Sequence, residues 1–188
     1  MNFLGHFYLS HHDEDLLVGN FIADFVKGKK YLNYPPKIAE GIMMHRNIDQ
    51  FTDSHAITRL GKKRLFPTYR HYAGVIMDMY YDHFLAKFWT QYHPEALPLF
   101  SAKVFDVLES CWQVLPEKSQ QMLPYMKSGQ WLTRYATLSG LGRSLSGMAK
   151  RLNNHSKLEF ATVQLEEHYE AYGVEAGIFL ADVAAEFG

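Results

Sequence analysis

The chain holds a single cysteine, Cys111, so no disulfide forms within it and a structural site built from several thiolates is excluded. Cys111 lies in an apolar helical stretch, Val104 to Leu115. That is the setting of a small core residue, not of an activated nucleophile. No uninterrupted apolar run approaches the roughly 20 residues that a membrane helix needs. Neither sign of charge dominates: 19 Lys and Arg stand against 20 Asp and Glu, which removes any global pull toward nucleic acid or an anionic bilayer. Met1 to Ser10 carries no basic leader and does not read as a signal peptide. The expectation is a cytoplasmic protein without nucleic-acid or membrane partners. G-x-S-x-G, P-loop, G-x-G-x-x-G and H-E-x-x-H motifs are absent as well, which sets aside the commonest hydrolase and nucleotide-binding signatures.

What is present is an ordinary globular composition, 47% hydrophobic in 188 residues, with no linker or repeat. Residues 1–188 therefore read as one domain with a real core. Apolar spacing predicts a helix from Leu16 to Val26, ending at Gly28, then a connecting loop through Pro36. A second helix runs from Ile38 to about Phe51, with Thr52 to Ser54 at its end. The stretch from Tyr69 to Trp89 contains no Pro and is expected to be the longest and most buried helix. Phe100 to Leu115 follows, then short helices divided at Pro124 and at the glycines beyond it, then a last long pattern from Ser156 to Val183. Hairpin turns and sustained alternation are missing, so the fold class is all-α, one compact unit of seven or eight helices.

Chemistry concentrates in two stripes. His45, Asp49 and Asp53 recur every four residues, which places them on one face of a helix. Taken alone, that stripe also fits a solvated face with Arg46 as ion-pair partner. The second stripe, Asp78 and Asp82 with the adjacent His83, interrupts an otherwise apolar helix, where an acid needs a partner or a metal. Asp24 is a lone acid among aromatics, and His6 a lone histidine in an apolar segment. Imidazole and carboxylate donors without thiolates suit manganese, magnesium, iron or zinc. Such a centre activates water and stabilises charge on a phosphoryl group. Arg46 could clamp a phosphate oxygen, and His83 could move a proton.

The motifs Met1-Asn2-Phe3-Leu4-Gly5-His6, Gly19-Asn20 through Asp24 to Gly28, His45-Arg46-x-x-Asp49-x-x-Thr52-Asp53 and Asp78-x-x-x-Asp82-His83-Phe84-Leu85 together resemble the acyl carrier protein phosphodiesterase family. Trp89, Trp131-Leu132, Arg134-Tyr135 and Gly147-Met148-Ala149 continue the likeness over nearly the whole chain. The resemblance implies an HD-like, all-helical phosphohydrolase with a divalent metal, commonly manganese. It implies hydrolysis of 4′-phosphopantetheine from the serine of holo acyl carrier protein. The usual adjacent His-Asp dyad of such enzymes occurs here only at His12-Asp13, and its inversion at Asp82-His83. Expected metal ligands are Asp24, His45, Asp49, Asp78 and Asp82, with His83, Arg46 and His6 as catalytic groups. An acidic carrier protein would be met by basic clusters, foremost Lys27, Lys29 and Lys30 beside the Asp24 segment. A nucleotide or small phosphate ester as substrate, or a helical binding module without catalysis, are the alternatives.

Overall fold

The computed structural model describes residues 1–10, 13–152 and 156–188. His12, and with it the His12-Asp13 dyad, lies outside the described residues. Eleven α-helices and no strand occur among them: α1 (Phe3–Tyr8), α2 (Glu14–Ile22), α3 (Pro36–Ser54), α4 (Ala56–Tyr69), α5 (Ala73–Lys87), α6 (Leu97–Ser110), α7 (Glu117–Ser128), α8 (Trp131–Arg134), α9 (Leu138–Arg151), α10 (Ala161–Glu167) and α11 (Tyr169–Phe187). The all-α expectation holds. No helix is long and apolar enough to cross a membrane.

Local chemistry explains where the helices begin. Asp13 caps α2, its carboxylate accepting from the Leu16 N–H at 2.9 Å, with Glu14 and Asp15 in the first turn. Pro36 opens α3, where a missing N–H costs nothing. His55 ends α3 in extended backbone, and its Nδ1 accepts from the Ile57 N–H to start α4.

Three expectations need correction. The Tyr69–Trp89 stretch is not the longest helix: α5 has 15 residues, whereas α3 and α11 have 19 each. Its start is delayed because Arg70, at φ 51°, reverses the chain between α4 and α5. Its burial is as expected, since every residue from Met79 to Ala86 is buried. Pro124 does not divide the chain but sits inside α7, and Gly140 and Gly142, expected to divide short helices too, lie inside α9. The pattern from Ser156 onward is broken at His168, between α10 and α11.

Two contacts position the site. The helices α2 and α3 touch backbone to backbone at Gly19 and Gly41, where a Cβ on Gly19 would collide with the carbonyl of Ile38 and one on Gly41 with that of Leu16. This crossing brings the segment after α2 alongside His45, one turn after Gly41. The other contact is between α1 and α5: Asn2 offers α1 no side-chain cap, and the Asp82 carboxylate supplies it from α5, accepting from Leu4 N–H at 2.8 Å and Gly5 N–H at 3.2 Å. The buried hydrophobic side chains form one cluster running from Met1 to Val183.

Candidate metal centre

Four polar side chains from three segments meet where these contacts converge. His45 and Asp49 lie one turn apart on α3, and His45 Nε2 stands 3.2 Å from Asp49 Oδ2. Asp24, in the 3-10 turn Ala23–Phe25 that ends α2, places Oδ1 3.4 Å from the same nitrogen. His6, from α1, places its own Nε2 3.2 Å from Asp49 Oδ1. The two imidazoles stack with centroids 3.9 Å apart, so the Asp49 carboxylate has a ring nitrogen at each oxygen. His6, His45 and Asp49 each present a donor atom within 4.8 Å of the others. The histidine side chains are 3% and 8% exposed, against 43% for Asp49 and 66% for Asp24. The centre thus has a dry imidazole floor and a wet carboxylate rim.

Hydrogen bonding around His6 leaves its ring in deficit of positive charge. Asn20 Nδ2 donates to Ser10 Oγ at 3.0 Å, and the Ser10 hydroxyl donates to the His6 carbonyl. Asn20 therefore turns Oδ1 toward His6 Nδ1, 3.3 Å away. His6 Nε2 faces two further acceptors, the Met1 carbonyl at 3.1 Å and Asp49 Oδ1. Either neutral tautomer leaves a lone pair pointing at oxygen. Burial, reinforced by the neighbouring His45, lowers the His6 pKa to about 4, so a second ring proton does not resolve the conflict near neutral pH. A cation at Nε2 would. With a cation there, Asn20 would be the outer hydrogen-bond partner that fixes which nitrogen ligates.

His45 shows the complementary need. Burial opposes its charged form, but the hydrogen bonds to Asp24 and Asp49 raise its pKa to about 9. Its Nδ1 is buried without a hydrogen-bond partner. For Asp49, burial acts upward, yet the bonds to His45 and His6 hold the carboxyl well below its usual range. The hydrogen bond from His45 likewise lowers Asp24. His6, His45 and Asp49 could together hold a borderline or hard divalent cation, with Asp24 beside His45.

The other expected residues are placed elsewhere. Asp78 borders the centre without joining it, 3.1 Å from the Met1 amine, which stands 3.6 Å from Asp49. Asp82 is fully buried and caps α1, and burial pushes its pKa up to about 7 despite the backbone donors. His83 is turned away: Nδ1 lies 2.7 Å from the Tyr135 carbonyl and Nε2 2.7 Å from the Tyr169 hydroxyl. Adjacent helical residues point about 100° apart, so Asp82 and His83 cannot share a target. Arg46 donates to the carbonyls of Val26 at 2.6 Å and Gly28 at 2.9 Å, and it lies over the Tyr31 ring. It fixes the exposed turn that carries Lys27, Lys29 and Lys30. Asp53 pairs with Lys62. Sequence reasoning missed Asn20, whose partner on α1 is 14 residues away, and the Gly19–Gly41 crossing. The only signal for the crossing was a glycine inside each helical pattern.

The model of the family described as acyl carrier protein phosphodiesterase matches residues 1–183. The acyl carrier protein phosphodiesterase of Yersinia pestis is 35% identical over 171 residues, covering 90% of this chain and 89% of its own. Those of Salmonella dublin and an Enterobacter species are each 35% identical over 172 residues, covering 91% of this chain and 89% of theirs. No solved structure matches the chain.

Proposed function

The chain belongs to the acyl carrier protein phosphodiesterase family, and we propose that it is a metal-dependent, HD-like phosphodiesterase that releases 4′-phosphopantetheine from the serine of holo acyl carrier protein. Water forms the new P–O bond, the bond from phosphorus to the serine oxygen breaks, and that oxygen leaves with a proton. The products are the apo carrier protein and free phosphopantetheine.

His6, His45, Asp49 and Asp24 would hold the cation, manganese by preference, with magnesium, iron or zinc compatible with the same donors. Bound there, a dication supplies charge stabilisation at the phosphoryl group and lowers the pKa of an adjacent water. The exposed carboxylates of Asp24 and Asp49 mark the side open to substrate. Asp78 borders a neighbouring open depression with Asp53, Lys62 and Arg70, which offers the phosphopantetheine arm a path to the rim. Lys27, Lys29 and Lys30 are exposed on the turn directly after Asp24, a suitable edge for an acidic carrier protein. We assign Arg46 to holding that edge, and Asp82 and His83 to positioning α1 and α5.

The observation that carries this reading is the pair of ring nitrogens flanking Asp49, with a His6 lone pair facing oxygen. The test is to follow phosphopantetheine by mass after incubating holo carrier protein with enzyme and manganese. Release that chelator abolishes and manganese restores is the expected result. Hydrolysis of a small phosphate ester with no release from the carrier protein would overturn the substrate, and chelator-insensitive release would overturn the metal.

A further inference from the structure

On the face of α9, Arg143, Gly147 and Arg151 follow one another at four-residue intervals and so stack along the helix. The glycine leaves a notch between two guanidinium groups, since a Cβ there would meet nothing within 4 Å. Opposite the notch, α8 contributes a third arginine, Arg134, together with Trp131. The three arginines surround a cavity of about 210 Å³ whose lining contains no acidic residue. None of the three has an ion pair or hydrogen bond from its guanidinium among the described residues. Three guanidinium groups around one hollow whose lining carries no acid among the described residues are an arrangement suited to an anion.

We propose that this pocket is a binding site for a phosphate group, separate from the His6–His45–Asp49 centre and independent of the phosphodiesterase reading. Guanidinium groups on two walls present forked donors that match the oxygens of a phosphate, where lysines would offer only point charges. Trp131, Tyr135 and Met148 make the remaining wall largely apolar, which suits the organic part of a phosphomonoester better than inorganic phosphate alone. Tyr135 links the pocket to the rest of the molecule. Its buried hydroxyl accepts from Asn2 Nδ2 at 3.1 Å, four residues before His6, and its carbonyl holds His83.

Calorimetric titration of protein stripped of metal and dialysed free of chelator tests the site. The probes are inorganic phosphate, phenyl phosphate and, as uncharged control, phenol. Saturable binding of phosphate probes but not phenol is expected, and tighter binding of phenyl phosphate than of inorganic phosphate would identify the organic ester as the ligand. Equal binding would assign the site to free phosphate. In the exposed double variant Arg143→Gln/Arg151→Gln, affinity should fall at least tenfold while manganese still binds at the histidine centre. Wild-type protein that binds neither phosphate, or a double variant that binds both as tightly as wild type, would overturn the proposal.

Discussion

Two acid–imidazole pairs in this protein are built from the same residue types and behave in opposite ways. On α5, Asp82 and His83 find fixed partners for the atoms they present: backbone N–H groups of α1 for the carboxylate, a carbonyl and a tyrosine hydroxyl for the ring. On α3, His45 and Asp49 are matched chiefly with each other, with Asp24 and with His6, and two ring nitrogens of this cluster lack a suitable donor or acceptor. A buried polar group with complete hydrogen bonding is architecture, because any ligand would have to displace those bonds. A group whose needs stay unmet, beside water, is where a cation gains most. Composition and apolar surroundings alone do not separate the two cases.

The sharpest way to break this comparison is to remove the α3 donors. His45→Ala and Asp49→Asn should each lower phosphopantetheine release by about a thousandfold or more, with manganese binding lost and the far-ultraviolet circular dichroism unchanged. Turnover within tenfold of wild type in both variants would remove α3 from the reaction.

The α5 pair should fail differently. Asp82→Ala leaves the Leu4 and Gly5 N–H groups buried without acceptors, at a cost of about 3 kcal/mol. We expect a lower urea midpoint, with activity per folded molecule reduced only so far as α1, and His6 with it, is loosened. An Asp82→Ala protein as stable as wild type yet wholly inactive would make Asp82 a site residue after all.

The sequence made one of these pairs readable and disguised the other. His45 and Asp49 were legible because four-residue spacing aligns side chains on any helix, and Asp24 because acids among aromatics are conspicuous. The acids of α5 were rightly seen as needing a reason, but the reason spans 78 residues: Asp82 caps a six-residue helix at the start of the chain, and no local pattern encodes a cap supplied from so far away. The placement of His6 beside Asp49 has the same cause, since that cap and the Gly19–Gly41 crossing carry it there. Helix existence followed from apolar period, whereas the break at Arg70 depends on a left-handed backbone at a residue with no turn signature.

A pH titration of metal-free protein separates the pairs again. The raised His45 pKa means that its contribution to stability is complete below about 6.5 and lost as pH rises through about 9. The α5 groups do not titrate in the upper part of that window: Asp82 reaches only about 7, and burial lowers His83 below its ordinary value. Unfolding free energy should therefore fall by about 2 kcal/mol between pH 7 and 9, and His45→Gln should flatten much of this slope. The raised Met1 amine adds in the same direction above pH 8. Because a bound cation requires neutral His45, manganese affinity should rise across the same interval. An alkaline slope unchanged in His45→Gln would show that His45 is not the group titrating.

The smallest expected effect concerns the exposed basic turn beside the α3 site. Lys27→Gln, Lys29→Gln and Lys30→Gln together remove three charges from a turn that Arg46 holds against α3 through the Val26 and Gly28 carbonyls. Rim charges act mainly on encounter, so kcat/KM for the carrier protein should drop by about 1 kcal/mol, roughly fivefold, with kcat little changed. The deficit should shrink as salt is raised, because added ions screen wild type more than the variant. Arg46→Gln, which leaves those lysines in place but releases their anchor, should lose less of the salt dependence and more of kcat, since the same turn follows directly from Asp24. If both variants gave identical salt profiles and identical kcat, the lysines would not be an independent docking edge, and the basic turn would matter only through its attachment to the centre.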